Sequence, residues 1–137
     1  MDQAEVKTFI LENFSDVRCD ESAGDSFFFV GDERMMPFAT LVTSDKHDQV
    51  SDLNRPDVYR LNIGIGKTAF GQLFGDDLLR SLKMNVAPPG YDYTTLDHVM
   101  PHPVYGYLGW VCVLNPGYTT WESARKLLQV AHNSAST

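Results

Sequence analysis

The residues best equipped for chemistry lie in two stretches. In Leu96-Asp97-His98-Val99-Met100-Pro101-His102-Pro103, a carboxylate stands beside one imidazole and close to a second. Asp97, His98 and His102, with Tyr105 just beyond, form the chain's one candidate acid–base set, because proton transfer near neutral pH needs such groups within hydrogen-bond reach of one another. The i, i+4 spacing of His98 and His102 is also that of two metal ligands on one helix face. Pro101 interrupts any regular helix there, and beyond Asp97 and the remote His47 no third ligand is evident, so neither a metal nor another cofactor is expected.

The second stretch is Val58-Tyr59-Arg60-Leu61-Asn62-Ile63-Gly64-Ile65-Gly66-Lys67-Thr68-Ala69-Phe70. Gly66-Lys67-Thr68 has the ending of a phosphate-binding loop, and Gly64-x-Gly66-x-x-Ala69 has the look of a dinucleotide fingerprint. Leu61 occupies the place of the first glycine that a phosphate loop requires, and no parallel strand with a terminal acid follows promptly, so neither nucleotide motif is complete. What is left is a half-buried strand entering a glycine turn. Lys67 at a helix start and Arg60 on the strand are suited to an anion, and His102, Tyr105 and Trp110 could add hydrogen bonding and stacking. For the two aromatics, core packing is the ordinary alternative.

These residues need elements to hold them. Asp2 and Glu5 fit a capping box ahead of a helix to about Phe14, with Val6, Phe9, Ile10 and Phe14 on one stripe. Ser26–Val30 and Phe38–Thr43 read as a hairpin across the Gly31–Arg34 turn. Residues 44 to 57 read as a long solvated loop, whose aspartates lack the spacing of a calcium site. Tyr59, Leu61, Ile63 and Ile65 alternate with polar or small residues, as in a strand with one buried face. Phe70, Leu73 and Phe74 mark a short helix ended by Gly75, and Leu78, Leu79 and Leu82 a further turn.

Val104–Leu114 reads as the strongest strand, apolar on both parities in its second half and therefore covered on both faces, with Cys112 as a packing residue. Thr119 and Glu122 fit a second capping box, ahead of a helix carrying Ala124, Leu127, Leu128 and Ala131, while His132 and the tail should fray. The order implies an α+β fold: a mostly antiparallel sheet with N-terminal and C-terminal helices packed on it.

At 137 residues the chain has the length of a single domain, residues 1–137 with an ordered core from about 4 to 132. The net charge of −7 and the scattered Lys and Arg disfavour nucleic acid, which needs clustered cations. No apolar run approaches the roughly 18 residues of a membrane span, and the N-terminus lacks the features of a signal peptide. Two distant cysteines, Cys19 and Cys112, fit a reducing compartment, so the expected location is cytoplasmic.

The segments Pro37–Thr43, Arg55–Gly64, Pro101–Gly106, Gly109–Val111 and Asn115–Gly117 resemble the motifs of a small bacterial family of unknown function, over roughly residues 4 to 132. More distantly, the element order is similar to MmcQ/YjbR-type double-wing domains. That likeness implies a possible DNA-binding role, which the net charge disfavours. The leading expectation is a non-enzymatic binding or interaction domain for a small anionic ligand or a protein partner, using Arg60, Lys67, His102, Tyr105 and Trp110. The alternative is a metal-assisted or acid–base enzyme built on Asp97, His98 and His102.

Overall fold

The computed structural model describes residues 1–137. Helix α1 (Gln3–Asn13) leads into strands β1 (Val17–Ser22), β2 (Asp25–Val30), β3 (Ala39–Val42) and β4 (Arg60–Gly64). Helices α2 (Lys67–Phe74) and α3 (Asp76–Ser81) follow, then the short strand β5 (Met100–Pro101), a 3-10 turn at Gly106–Leu108, strand β6 (Trp110–Leu114) and helix α4 (Trp121–Ala135). The six strands form one antiparallel sheet in the order β1-β2-β3-β4-β6-β5. The α+β class and the antiparallel sheet are therefore as the periodicity implies.

Alternation along the strands decides which face each side chain enters. Phe28, Ala39, Leu41, Leu61, Ile63, Val111 and Val113 face one side, where Val6 and Ile10 of α1, Phe70 of α2 and Ala124, Leu128 and Ala131 of α4 cover them. The capping box of α1 forms as its sequence implies, with the Glu5 amide donating to Asp2 and the Asp2 amide to Glu5. On the opposite face Val42, Met100, Cys112 and Leu114 pack with Leu53 and Tyr93 from the long connections. Strand β6 is thus covered on both sides, and burial pushes the Cys112 thiol up to about 12.

One strand is not anticipated by the sequence, and three local expectations are corrected. Strand β1 has no clear sequence signal: Val17-Arg18-Cys19-Asp20-Glu21-Ser22 carries charge on both parities, which suits a sheet edge protected from further pairing. Residues 104–109 are not strand. They form a turn and a 3-10 segment, closed by Gly109 at φ +88°, and the strand begins only at Trp110. The C-terminal residues are not frayed, because α4 continues to Ala135 and buried His132 stacks on Phe14 and donates from Nε2 to the Ser15 carbonyl at 2.8 Å.

The third correction concerns the start of α4. Thr120 is its N-cap, and no capping bond comes from the Thr119 or Thr120 side chain. Asp97 supplies it instead, accepting from the amides of Gly117, Thr119 and Thr120 and from the Thr120 hydroxyl at 2.6–3.0 Å. Burial alone would raise the Asp97 carboxyl, but these donors outweigh it and hold it well below the usual carboxylate range. Asp97→Ala should lower stability by about 2 kcal/mol in urea denaturation, the upper range for a helix cap. Because the folded group titrates below its unfolded value, its contribution is full above the ordinary carboxylate range and fades as pH falls beneath it. Asp97→Asn should therefore lose less stability than the native chain between about pH 5 and pH 2.

Candidate functional site

On the sheet face opposite α1 and α4, a cavity of about 390 Å³ lies across the strands. Its floor follows the polar parity of the central strands: Thr40 of β3 pairs with Asn62 of β4, and Val42 with Arg60. Phe27 and Phe29 of β2 form one wall, Trp110, Leu108 and Tyr105 the other, and Met35 and Met36 flank the opening. Met35 and Met36 are strongly exposed, and Tyr105 is about half exposed. Other depressions on the surface are lined by polar and charged side chains, for example Lys7, Glu21 and Ser22 beside α1.

Gly64 fixes the Trp110 wall. A Cβ at Gly64 would lie 2.7 Å from the indole, so the ring rests directly against the strand backbone at its paired position. Gly109, in the left-handed region just before Trp110, lets the chain pass over the start of α2. There its carbonyl accepts from the amides of Ile65 and Gly66, both at 3.1 Å. Those are amides that an anion at this glycine turn would use, so the phosphate-like segment is occupied by the protein's own backbone. Lys67 is exposed and lies outside the cavity.

Arg60 is only 1% exposed. Its Nη1 and Nη2 donate to both carboxylate oxygens of Asp48 at 3.0 and 2.7 Å, Nη1 also donates to Ser51 Oγ, and Nε donates to Asn62 Oδ1. Asn62 in turn donates to Thr40 Oγ1 at 3.0 Å. Burial would raise the Asp48 carboxyl, but the hydrogen bonds and charge of Arg60 prevail and keep it below its ordinary value. The 44–57 connection is therefore not a loosely solvated loop, since Asp48 and fully buried Ser51 anchor it to the sheet. Arg60 enters the cavity as half of a neutralised pair.

His102 is 3% exposed and caps the turn that follows it. Its Nδ1 accepts from the amides of Val104 and Tyr105, each at 3.0 Å. An acceptor engaged twice carries no proton, so the neutral ring bears its hydrogen on Nε2. Burial, then the Arg60 charge, depresses the imidazole well below its usual value against the opposing pull of Asp48. No protein group accepts from Nε2 among the hydrogen bonds of the ring. Because no fully enclosed side-chain polar atom lacks a partner, Nε2 is reached from outside, and the cavity that the ring lines is the route.

At the other end, fully buried Asp25 accepts from His47 Nε2 at 2.9 Å and from the Thr43 amide at 3.0 Å, with Lys46 Nζ also at 3.0 Å. Asp25 belongs to β2 and His102 follows β5, so β3, β4 and β6 lie between the two histidine sites.

The sequence-derived candidates thus separate. Arg60, His102, Tyr105 and Trp110 line one cavity. Tyr105 is tilted against His102 with 5.1 Å between ring centroids, and Trp110 is only partly buried, so neither aromatic is simply core. Asp97, His98 and His102 do not assemble: Asp97 caps α4, His98 is exposed, and no three His, Cys, Asp or Glu side chains converge as a metal site requires. Phe27, Phe29, Met35, Met36 and the partners Asp48 and Ser51 were not indicated by any motif. The uninterrupted aromatic run Phe27-Phe28-Phe29 was the available signal, since it gives β2 large side chains on both faces.

Comparison with known proteins gives the family. The model of a family of unknown function (DUF6194) matches residues 1–137, and the chain belongs to it. No curated protein and no solved structure matches it. No helix is long and apolar enough to cross a membrane.

Removing Asp48 leaves a buried guanidinium without its counter-charge. Asp48→Ala should cost about 3–5 kcal/mol in urea denaturation, with Asp48→Asn milder because an amide oxygen still accepts from Arg60.

Proposed function

We propose that this member of a family of unknown function is a non-enzymatic small-molecule-binding domain, and that its ligand occupies the cavity between the Phe27–Phe29 wall and Trp110. The observation that carries this reading is the cavity's make-up: about 390 Å³, mainly apolar walls and a few fixed polar groups on the floor. That is the usual composition of a ligand pocket. Its volume suits a compact molecule of one to three rings or a comparable aliphatic body.

The floor argues against a free anion as the preferred ligand. Arg60 is already paired in bidentate fashion with Asp48, and Lys67 lies elsewhere. A catalytic role draws less support. His102 has its basic nitrogen engaged by two amides, and His47, which lines the same cavity, is bonded to Asp25 at the far end of it, with three strands between the two imidazoles. A double-wing DNA-binding role rests on element order alone and is opposed by the net charge of −7.

The two tryptophans make the reading testable. Trp110 lines the cavity, whereas Trp121 packs against Phe9 at 5.0 Å on the helical side. In a fragment screen followed by ¹H–¹⁵N spectra, binders should shift the Trp110 Nε1–H signal and leave that of Trp121 in place. They should also raise the melting temperature, by an amount that grows with the logarithm of ligand concentration above Kd. Gly64→Ala, which displaces the indole, should weaken binding at least several-fold. Fragments that move only Trp121, or none that move Trp110, would overturn the proposal.

A further inference from the structure

We infer that the cavity selects a neutral carbonyl compound, an apolar ring system bearing a ketone or amide oxygen, and that His102 Nε2–H is the donor that holds that oxygen. This rests on the proposed binding role of the cavity and adds the chemical class of its ligand.

Three observations lead here. His102 is a buried polar side chain whose one remaining donor has no partner in the protein and opens on the cavity. Leaving such a donor unsatisfied is costly, so a ligand that supplies an acceptor is favoured over one of the same shape that does not. The tautomer is fixed by geometry. Moving the proton to Nδ1 would set an N–H against the amides of Val104 and Tyr105 and break both bonds. The ring is therefore a permanent donor at Nε2, unable to take a proton there or to offer that nitrogen to a metal without giving up its cap.

The nearby charge is balanced. The Arg60 guanidinium has both Asp48 oxygens on it, so a carboxylate entering the cavity would lose its hydration without gaining an unpaired cation. A carbonyl oxygen needs only the donor. The remaining lining accommodates the ring system: Trp110 and Tyr105 near His102, and Phe27, Phe29 and Met35 across the cavity.

Three probes of nearly equal shape separate the cases: 1-indanone with a carbonyl, indane with no acceptor, and indane-1-carboxylate with a charge. In titrations followed at the Trp110 Nε1–H signal, 1-indanone should bind roughly fivefold more tightly than indane, the scale of one neutral hydrogen bond. Indane-1-carboxylate should bind more weakly than 1-indanone. The His102 Hε2 signal should move downfield with 1-indanone and not with indane, while Nδ1 keeps the nitrogen shift of an unprotonated acceptor.

His102→Asn provides the control, because an asparagine oxygen can still accept from the Val104 and Tyr105 amides while the donor at the Nε2 position is lost. This variant should fold and lose the preference for 1-indanone over indane. Equal affinity for 1-indanone and indane would overturn the carbonyl assignment but leave the binding cavity standing. Tightest binding of indane-1-carboxylate would likewise overturn it in favour of an anion. Binding of none of the three at Trp110 would overturn both the assignment and the binding role beneath it.

Discussion

A guanidinium almost completely withdrawn from water in the middle of a sheet is the constraint on which the second face of this protein depends. Arg60 sits on β4, between β3 and β6, and its partner Asp48 lies outside the sheet on the connection from β3 to β4. Pairing the two requires that polar connection to fold back across the strands, since an unpartnered buried charge would cost several kcal/mol. Once folded back, it places Leu53 beside Val42 and Leu114. It also carries His47, the neighbour of Asp48, to buried Asp25. The helical face needs no such device, because Val6, Ile10, Leu61, Ile63, Val111 and Leu128 close it by apolar packing alone.

The same ion pair shapes the behaviour of His102. A nearby positive charge and burial both oppose an imidazolium, and the two amides on Nδ1 oppose it again from the other side of the ring. The local sequence suits this. Pro103 begins the turn and has no N–H to satisfy, so the next two amides, those of Val104 and Tyr105, are the ones that turn toward the imidazole. Pro101 is equally well placed, because β5 pairs only with β6 and its missing amide faces no neighbour. The His-Pro pattern that looks like a broken helix is an edge strand running into a histidine-capped turn.

How much of this was legible in the sequence depended on whether a residue's role was set by its neighbours in the chain or by distant ones. The stripes of α1 and α4 follow from local period and appear where the pattern puts them. Strand β4, whose alternation implies one buried face, is buried on both, because Arg60 and Asn62 are covered by the connection that carries Asp48 and Ser51. Strand β1 was hidden because an edge strand keeps charged residues on both parities. Val104–Leu108 looked like strand because aromatic and branched residues favour one, yet the cap from His102 sets the backbone there. Arg60 and Trp110 stand four register positions apart on the same face of paired strands, and the His102 amide donates to the Trp110 carbonyl at 2.9 Å, so residues chosen for their chemistry share one cavity. Asp97 and Asp48 were misread for a common reason. Each is an acidic residue in a loop whose partner lies 12 or more positions away, and no spacing rule reaches that far.

The glycine stretch after β4 shows how a motif can be right about geometry and wrong about its purpose. Gly64, Ile65 and Gly66 do turn a strand into a helix, and the amides of Ile65 and Gly66 do converge on one acceptor, as a phosphate loop's would. The acceptor is the Gly109 carbonyl, held there because a residue with no side chain can approach Gly66 and Lys67 closely. The next residue is Trp110, whose indole lies over Gly64 and makes one wall of the cavity. The two backbone bonds from the glycine turn therefore fix where β6 begins, and with it where the tryptophan stands. Glycines at 64, 66 and 109 are needed for that packing whether or not any anion binds. The phosphate-like signature is thus a consequence of positioning an aromatic wall.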